Sequence, residues 1–424
     1  MKLIHLKEKY RDVIRLFLLY FSFSLLVFSS SAQQTITTLE EAITFGLANN
    51  GSVVAADIEV ERLKMLEKTT FDIGKTDIGM QYGQYNSFEN DLAFSVNQNF
   101  QFPTVYANKN ALAKTTTESG NLQKNQTENE LIVEIKRTWY QLIYLKELSE
   151  LLQYQNDVYV QFLKAAQVRY ETEAGTLLEK VTAESKVTAV KVNMSQNNAN
   201  IKIYKKRFQI LLNSPILVEL PASIVKKKKL DLPLDTNLIA SNPNLALLTN
   251  KVKEKEREQL LEKSKILPEF SIGYFNQSLI GSPTEEIGTT LAISSNRFTG
   301  IQAGISIPLW AKPNLARIKV AKLGQQKATA DAAYYHSILL SEYERVVQDY
   351  FKYKTTIDYY ENNALPQAEL ILSNSKKSFE NGAIDYVTYI LSLNSGIDIK
   401  SNYLDALLQY NKSVIAIEYL AGKR

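Results

Sequence analysis

Two six-residue stretches decide the reading of this chain: Arg169-Tyr170-Glu171-Thr172-Glu173-Ala174 and, 209 residues later, Ser378-Phe379-Glu380-Asn381-Gly382-Ala383. Their likeness is the clearest point of a long-period repeat, and such repeats define an architecture before local structure does. Working outward, Phe102-Pro103 closes one strand-like run and Ile307-Pro308 closes another, 205 residues apart. A polar, helix-forming stretch follows each, beginning near Asn108 and Asn314. Upstream, a helix over Ser52–Thr70 has its counterpart over Asn244–Lys265. Between the halves lies Pro215–Pro243, with four of the ten prolines. Its Lys226–Lys229 run reads as the solvated face of a linker rather than a lipid-binding patch.

Within each half the expected order is a short helix, two strands and two very long helices. The strands rest on alternation. Leu92, Phe94, Val96, Phe100 and Phe102 share one parity, with Gln98 the exception, as do Ile301, Ala303, Ile305 and Ile307. Partner strands hold Ile78, Met80 and Tyr82, and Phe270, Ile272 and Tyr274. The opposite faces carry Ser, Gln, Asn and Gly, and polar loops lie around Tyr85–Asp91 and Ser278–Arg297. The helices rest on steps of four and three, as in Leu339, Tyr343, Val346, Tyr350, Tyr353 and Ile357. The same steps link Val187, Val190, Met194, Asn197 and Ile201, and Ile390, Leu393, Ile397, Lys400 and Leu404. Ile132, Ile135, Trp139, Leu142 and Leu145 carry an extra three-step. Such spacing predicts coiled-coil seams, in which Asn197, Lys400 and Asn411 would fix register. Helices of about 50–60 residues would be roughly 75–90 Å long.

Met1 to Ala32 reads as a secretory signal: a basic n-region from Lys2 to Arg15, an apolar run from Leu16 to Phe28, and small residues before Gln33. It holds five basic and two acidic residues, so the +4 of the whole chain falls to +1 without it, and nucleic acid is a poor partner. The 424 residues include no cysteine, which excludes disulfides, thiolate metal sites, cysteine nucleophiles and a lipid on an N-terminal Cys. Glycine (16) and proline (10) are scarce, which favours uninterrupted helices. His5 sits in the signal and His336 stands alone on a helix. There is no phosphate-binding glycine loop, nucleophile elbow or metal-ligand spacing, so no cofactor, metal site or catalytic residue is expected. Four strands of about ten residues are long enough to cross a bilayer when tilted, yet too few to close a barrel. In lipid, several chains would have to share one, and the helices would extend from it as a conduit. The alternative is a periplasmic coiled-coil scaffold without a pore.

This arrangement closely resembles the TolC family of outer-membrane efflux proteins over essentially the whole chain after the signal. The resemblance rests on the two-fold repeat, the joints at Pro103 and Pro308, and the aromatic-x-x-Gly turn after the long helix. Phe379-Glu380-Asn381-Gly382 fits that turn; in Tyr170-Glu171-Thr172-Glu173 a glutamate replaces the glycine, with Gly175 two residues late. The resemblance implies a mainly α chain with membrane β, in which long coiled-coil hairpins join four strands given to a twelve-stranded homotrimeric barrel. It implies an outer-membrane duct of a Gram-negative bacterium that works with a periplasmic adaptor and an inner-membrane pump of the RND type, and that catalyses nothing. The runs Gly304–Leu309 and Asn314–Lys319 look most like the branch serving heavy-metal cation pumps, while multidrug efflux and type I secretion share the design. The implied division is a signal over 1–32, a first repeat over 33–214, a linker over 215–243 and a second repeat over 244–424. Strands are expected over about 71–102 and 268–308, and long helices over about 106–213 and 314–420. Family members ring a closed periplasmic aperture with acidic residues beyond the turn. Counted from the motif, those positions fall on Glu179, Thr388 and Leu391, the last two not acidic, with Asp385 a nearby substitute. Tyr170, Phe379 and Gly382 are expected to pack the turns.

Overall fold

Scarce helix breakers let the chain run on as helix, and the structure, a computed structural model, describes residues 36–84, 90–215, 226–278 and 297–423. The signal segment, most of both strand loops and residues 216–225 of the linker lie outside the described residues. In the first half, α1 (Leu39–Asn49) and α2 (Gly51–Glu67) lead to β1 (Asp77–Gly83) and β2 (Asp91–Phe100). Two helices follow, α3 (Pro103–Glu171) and α4 (Leu177–Leu212). In the second half, α5 (Pro243–Ser264) leads to β3 (Glu269–Ser278) and β4 (Arg297–Ser306). The chain then runs as α6 (Ala311–Tyr359), a π turn (Tyr360–Ala364), α7 (Leu365–Glu380) and α8 (Tyr386–Leu420). No helix among the described residues is long and apolar enough to cross a membrane.

Two very long helices of about 50–60 residues per half are expected from the spacing, and the structure makes their lengths unequal. The 69-residue α3, roughly 100 Å long, is paired with a 36-residue α4. The missing length is supplied end to end by the short helix. Asn50 caps the start of α2, accepting from Ser52 N–H, and donates to the Leu211 carbonyl at the end of α4 (2.8 Å). Asn242 does the same in the second half: it caps α5 and donates to the Leu420 carbonyl at the end of α8 (3.1 Å). A helix end leaves carbonyls unsatisfied and a helix start leaves N–H groups unsatisfied, so one Asn serves both deficits. Each hairpin is thus a long rod against a rod made in two pieces.

The seam positions are buried largely as their spacing predicts. Ile135, Trp139, Leu142, Tyr343, Ile357 and Val414 join one core with Phe208 and Leu212. A second core further down holds Tyr159, Phe162, Val187, Ile390, Leu393 and Ile397. Buried Asn197 donates to the Leu145 carbonyl of the facing helix (2.9 Å), which fits a register-fixing role. Asn411 differs from expectation: it holds the linker, accepting from Lys228 N–H (2.8 Å) and donating to the Lys226 carbonyl.

The lysine run therefore departs from its reading as a solvated face. Lys227 bridges Asp358 (3.4 Å) and Glu361 (3.1 Å). Lys228 meets Glu418 at 2.8 Å, whose other oxygen holds Lys136 at 2.9 Å. Glu418 is buried and needs both cations, because an unpaired buried carboxylate is strongly destabilising. Lys226 and Lys229 are exposed and keep the solvated reading, Lys229 with Asp231 at 3.1 Å.

The helices also start earlier than expected, at Pro103 and Ala311. Pro103 is the first residue of α3, where its missing N–H costs nothing. Pro308 instead lies three residues before α6, so the two joints are not equivalent. Helix starts are 208 residues apart and helix ends (Glu171, Glu380) 209 apart. The extra residue sits in the π turn, where Leu365 N–H reaches the Tyr360 carbonyl, a step of five. Pro366 follows at once, and its absent N–H deprives the carbonyl four residues earlier of its α-helical donor.

Candidate functional site: an exposed sheet and two helix tips

The four strands form one antiparallel sheet in the order β1-β2-β3-β4. Register places Ile78 opposite Val96, Met80 opposite Phe94, Val96 opposite Tyr274, and Tyr274 opposite Ile301. Paired residues share a face, so the alternating apolar positions of all four strands merge into one surface. Among the described residues nothing covers it: Ile78 is 70% exposed and Ile301 82%. Gln98, the polar exception, is satisfied by Thr76 Oγ1 (2.6 Å) and by the Ile73 carbonyl. The other face carries Gln81, Ser95, Asn97, Ser271 and Gln302, interrupted by Phe275 and Phe298. Among the described residues the outer strands β1 and β4 pair only inward. At the foot of the sheet Phe71, Leu309 and Trp310 are exposed, Trp310 to 84%. Leaving each large apolar side chain in water forgoes roughly 1.5–3 kcal/mol, so this face calls for an apolar surrounding.

At the opposite end of the rods lie the two tips. Both turns have one geometry. In the second, Gly382 N–H donates to the Phe379 carbonyl (3.0 Å) and Ala383 N–H to the Ser378 carbonyl (2.8 Å). In the first, Glu173 N–H donates to the Tyr170 carbonyl (3.1 Å) and Ala174 N–H to the Arg169 carbonyl (2.8 Å). This is the paired-bond helix stop whose penultimate residue is left-handed. Gly382 takes φ +71 freely, whereas Glu173 takes φ +60 against a steric cost of about 1–2 kcal/mol. Gly175 is not the displaced left-handed glycine. It is needed for closeness, because a Cβ there would come within 2.9 Å of Arg169 Cβ.

The candidate aperture residues fall on two separate first turns. Glu179 is in the first turn of α4, capped by Thr176 Oγ1 (3.2 Å). Its carboxylate folds toward Arg169, 3.9 Å away, and the Tyr386 hydroxyl donates to its carbonyl. Asp385 is the N-cap of α8 and accepts from Thr388 N–H (2.8 Å). The Thr388 hydroxyl, together with that N–H, holds its carboxyl below the usual aspartate range. Thr388 and Leu391 are exposed.

The packing residues divide. Phe379 stacks on Tyr389 (4.9 Å, 7°) and on Phe162 (5.4 Å), and Phe162 also meets Tyr386 edge-on (4.7 Å). Tyr170 does not pack a core; it is 40% exposed, with the Lys180 ammonium 5.3 Å from its ring centre. Phe162 and Tyr386 were missed as site residues, since the cluster joins two halves of the chain. Gly382, Pro103 and Pro308 lie as described above. His336 is exposed, and no cluster of His, Cys, Asp or Glu that could hold a metal ion occurs among the described residues.

No family model matches the sequence, and no curated protein matches it. Solved structures do match, outer-membrane channels among them. The chain is similar to CusC, whose structures concern transmembrane channel formation: TM-score 0.76, 13% identity, covering 94% of this chain and 96% of that one. It is similar to the outer-membrane protein VceC of Vibrio cholerae: TM-score 0.74, 15% identity, covering 91% and 96%. It is similar to the open outer-membrane channel MtrE of Neisseria gonorrhoeae: TM-score 0.72, 15% identity, covering 91% and 89%. The class is thereby defined by shape: the chain has the fold of the outer-membrane efflux channels. The fold expected from the TolC-family resemblance is the one it adopts.

Proposed function

We propose that this protein is the outer-membrane exit duct of an efflux system, a passive conduit working with an inner-membrane pump and a periplasmic adaptor. The observation that carries this reading is the sheet: one face apolar and uncovered, both edges unpaired, joined directly to long rods. Unpaired edges in lipid cost several kcal/mol per backbone group, so copies of the chain must close the sheet into a barrel. With four alternating strands, β4 of one copy meets β1 of the next antiparallel, as closure of an antiparallel barrel requires. On the family resemblance three copies close it, with twelve strands. The apolar face then meets lipid, the Ser, Asn and Gln face lines the lumen, and Trp310 sits at the interface where tryptophan concentrates. The tips form the periplasmic end, where three copies of Glu179, aided by Asp385, would favour cations. Heavy-metal cations are the cargo supported by the resemblance of the Gly304–Leu309 run.

Fractionation tests the duct. Expected is a heat-dissociable oligomer of the 48.1 kDa chain, shortened by its signal, in the outer membrane. A water-soluble monomer in periplasmic extract would overturn the duct and favour the scaffold. Growth of a deletion strain on graded metal salts against dyes and detergents tests the cargo.

A further inference from the structure

The helices nearest the sheet form an open row. α2 packs on α3, α3 on α5, and α5 on α6; among the described residues this part of the row ends at α2 and α6, and α6 meets α8 only further from the sheet. These two outer helices carry exposed stripes of coiled-coil spacing. On α2 the stripe is Val54, Ile58, Glu61 and Met65, in steps of four, three and four. On α6 it is Val320, Leu323, Lys327, Ala330, Tyr334 and Ile338, in steps of three, four, three, four and four. Both stripes are solvent-facing in the single chain, with Ile58 61% and Val320 68% exposed. Each has one charged residue inside an apolar run, and the charges are opposite.

The row itself sets the level of each residue. Lys124 of α3 pairs with Asp57 of α2 (2.5 Å), and Gly120 lies against Leu63 and Val60. Glu61 is therefore level with residue 120 of α3. On the other side of α3, Asn250 donates to the Thr115 carbonyl (3.0 Å) and Ser119 donates to Glu254 (2.8 Å). Lys255 in turn lies beside Gly324 of α6. The helices of the row are antiparallel, so carried across it Glu61 comes level with residues 326–334, a span in which Lys327 is the charged member of the α6 stripe. The same levels set Met65 against 322–330, which holds Leu323, Ile58 against Ala330 and Tyr334, and Val54 against Tyr334 and Ile338. Glu61 has no ion pair within its own chain among the described residues. Lys327 is exposed and, among the described residues, paired only with Asp331, one turn along its own surface (2.7 Å).

We propose that α2 of one copy packs antiparallel against α6 of the next through these stripes, with Glu61 and Lys327 as the pair that sets the register between copies. This rests on the duct reading, because it takes a second copy of the chain as partner. It is continuous with the sheet closure: α2 leads into edge strand β1, and edge strand β4 leads into α6. A single polar pair in an apolar seam fixes alignment, because any shift leaves both charges against apolar side chains.

The absence of native cysteine allows a clean test. The double variant Glu61→Cys with Lys327→Cys is expected to give covalent dimers and trimers on mild oxidation in outer-membrane preparations. Within one chain the two positions are three helix–helix spacings apart, roughly 25 Å, so a disulfide can only join copies. Glu61→Cys with Tyr334→Cys, displaced by two turns, is expected to cross-link far less. Separately, E61K and K327E are each expected to lower the temperature at which the oligomer dissociates on gels, and the double exchange to restore it. A heat-dissociable oligomer that fails to cross-link at 61 and 327, or cross-links faster at 61 and 334, overturns the seam and leaves the duct standing. Failure of the unaltered chain to form any membrane oligomer overturns both.

Discussion

The two tips are the same backbone built from different chemistry. Each closes with bonds between equivalent atoms, yet one uses glycine at the left-handed position and the other glutamate. The second tip is anchored, its Phe379, Tyr386 and Tyr389 gathered on Phe162 of the first half. The first is charged and exposed, with Arg169 facing Glu179 and Lys180 over Tyr170. The seams beneath dictate where each hairpin must reverse, so turn geometry is imposed from below and side-chain identity is released for other uses. One tip is held by anchorage and the other carries the charge.

The largest expected effect breaks the anchorage. Phe162→Ala removes the ring shared by the second tip, a loss of about 3–5 kcal/mol for a buried Phe. Hydrogen exchange should accelerate over residues 379–389 much more than over 170–180. Next, the left-handed positions should answer with opposite signs. Gly382→Ala is expected to destabilise by about 1 kcal/mol or more, and Glu173→Gly to stabilise by about 0.5–1 kcal/mol, read as shifts in thermal dissociation. If Glu173→Gly destabilises, its side chain contributes more than its backbone costs.

A third test uses acid. The Asp385 carboxyl titrates below its ordinary value because its charged form accepts from Thr388. Its contribution is fully present above the unfolded value near 3.9 and is lost as pH falls through the lower folded one. Thr176, the cap of the first tip, does not titrate. Exchange at Thr388 and Tyr389 should therefore quicken at about pH 3 relative to Glu179 and Lys180. The smallest structural effect is expected of Glu179→Ala, within about 0.5 kcal/mol as for a surface change, while its functional effect appears in planar bilayers. Single-channel conductance should rise or block by multivalent cations weaken; unchanged currents would return Glu179 to the helix surface.

What the sequence disclosed and what it hid follow from range. Four-and-three spacing is local, so Leu339, Tyr343, Val346 and Ile357 could be assigned to a buried seam from the chain alone. Alternation likewise gave all four strands, within a few residues of their ends. The aromatic cluster was not legible because Phe162 is more than 200 residues from its partners. The half-length α4 was hidden because its completion by α2 depends on Asn50 reaching Leu211 across the fold. Lys228 looked solvated because its partner, Glu418, lies in the last helix. The π turn left one local sign, Pro366, but Ile357, Tyr360 and Ala364 keep the seam spacing through it and so concealed it.

That π turn separates length from phase. One residue added to an α-helix advances everything beyond it by about 100° and would swing the seam off its partner within a single step. By widening one turn, Tyr360–Ala364 takes up the added residue and returns the helix to its angle, so the two arms differ in count yet face inward alike at both ends. The second arm thus carries its own joint for absorbing single-residue changes, and the repeat could drift by one without the rods turning away from each other.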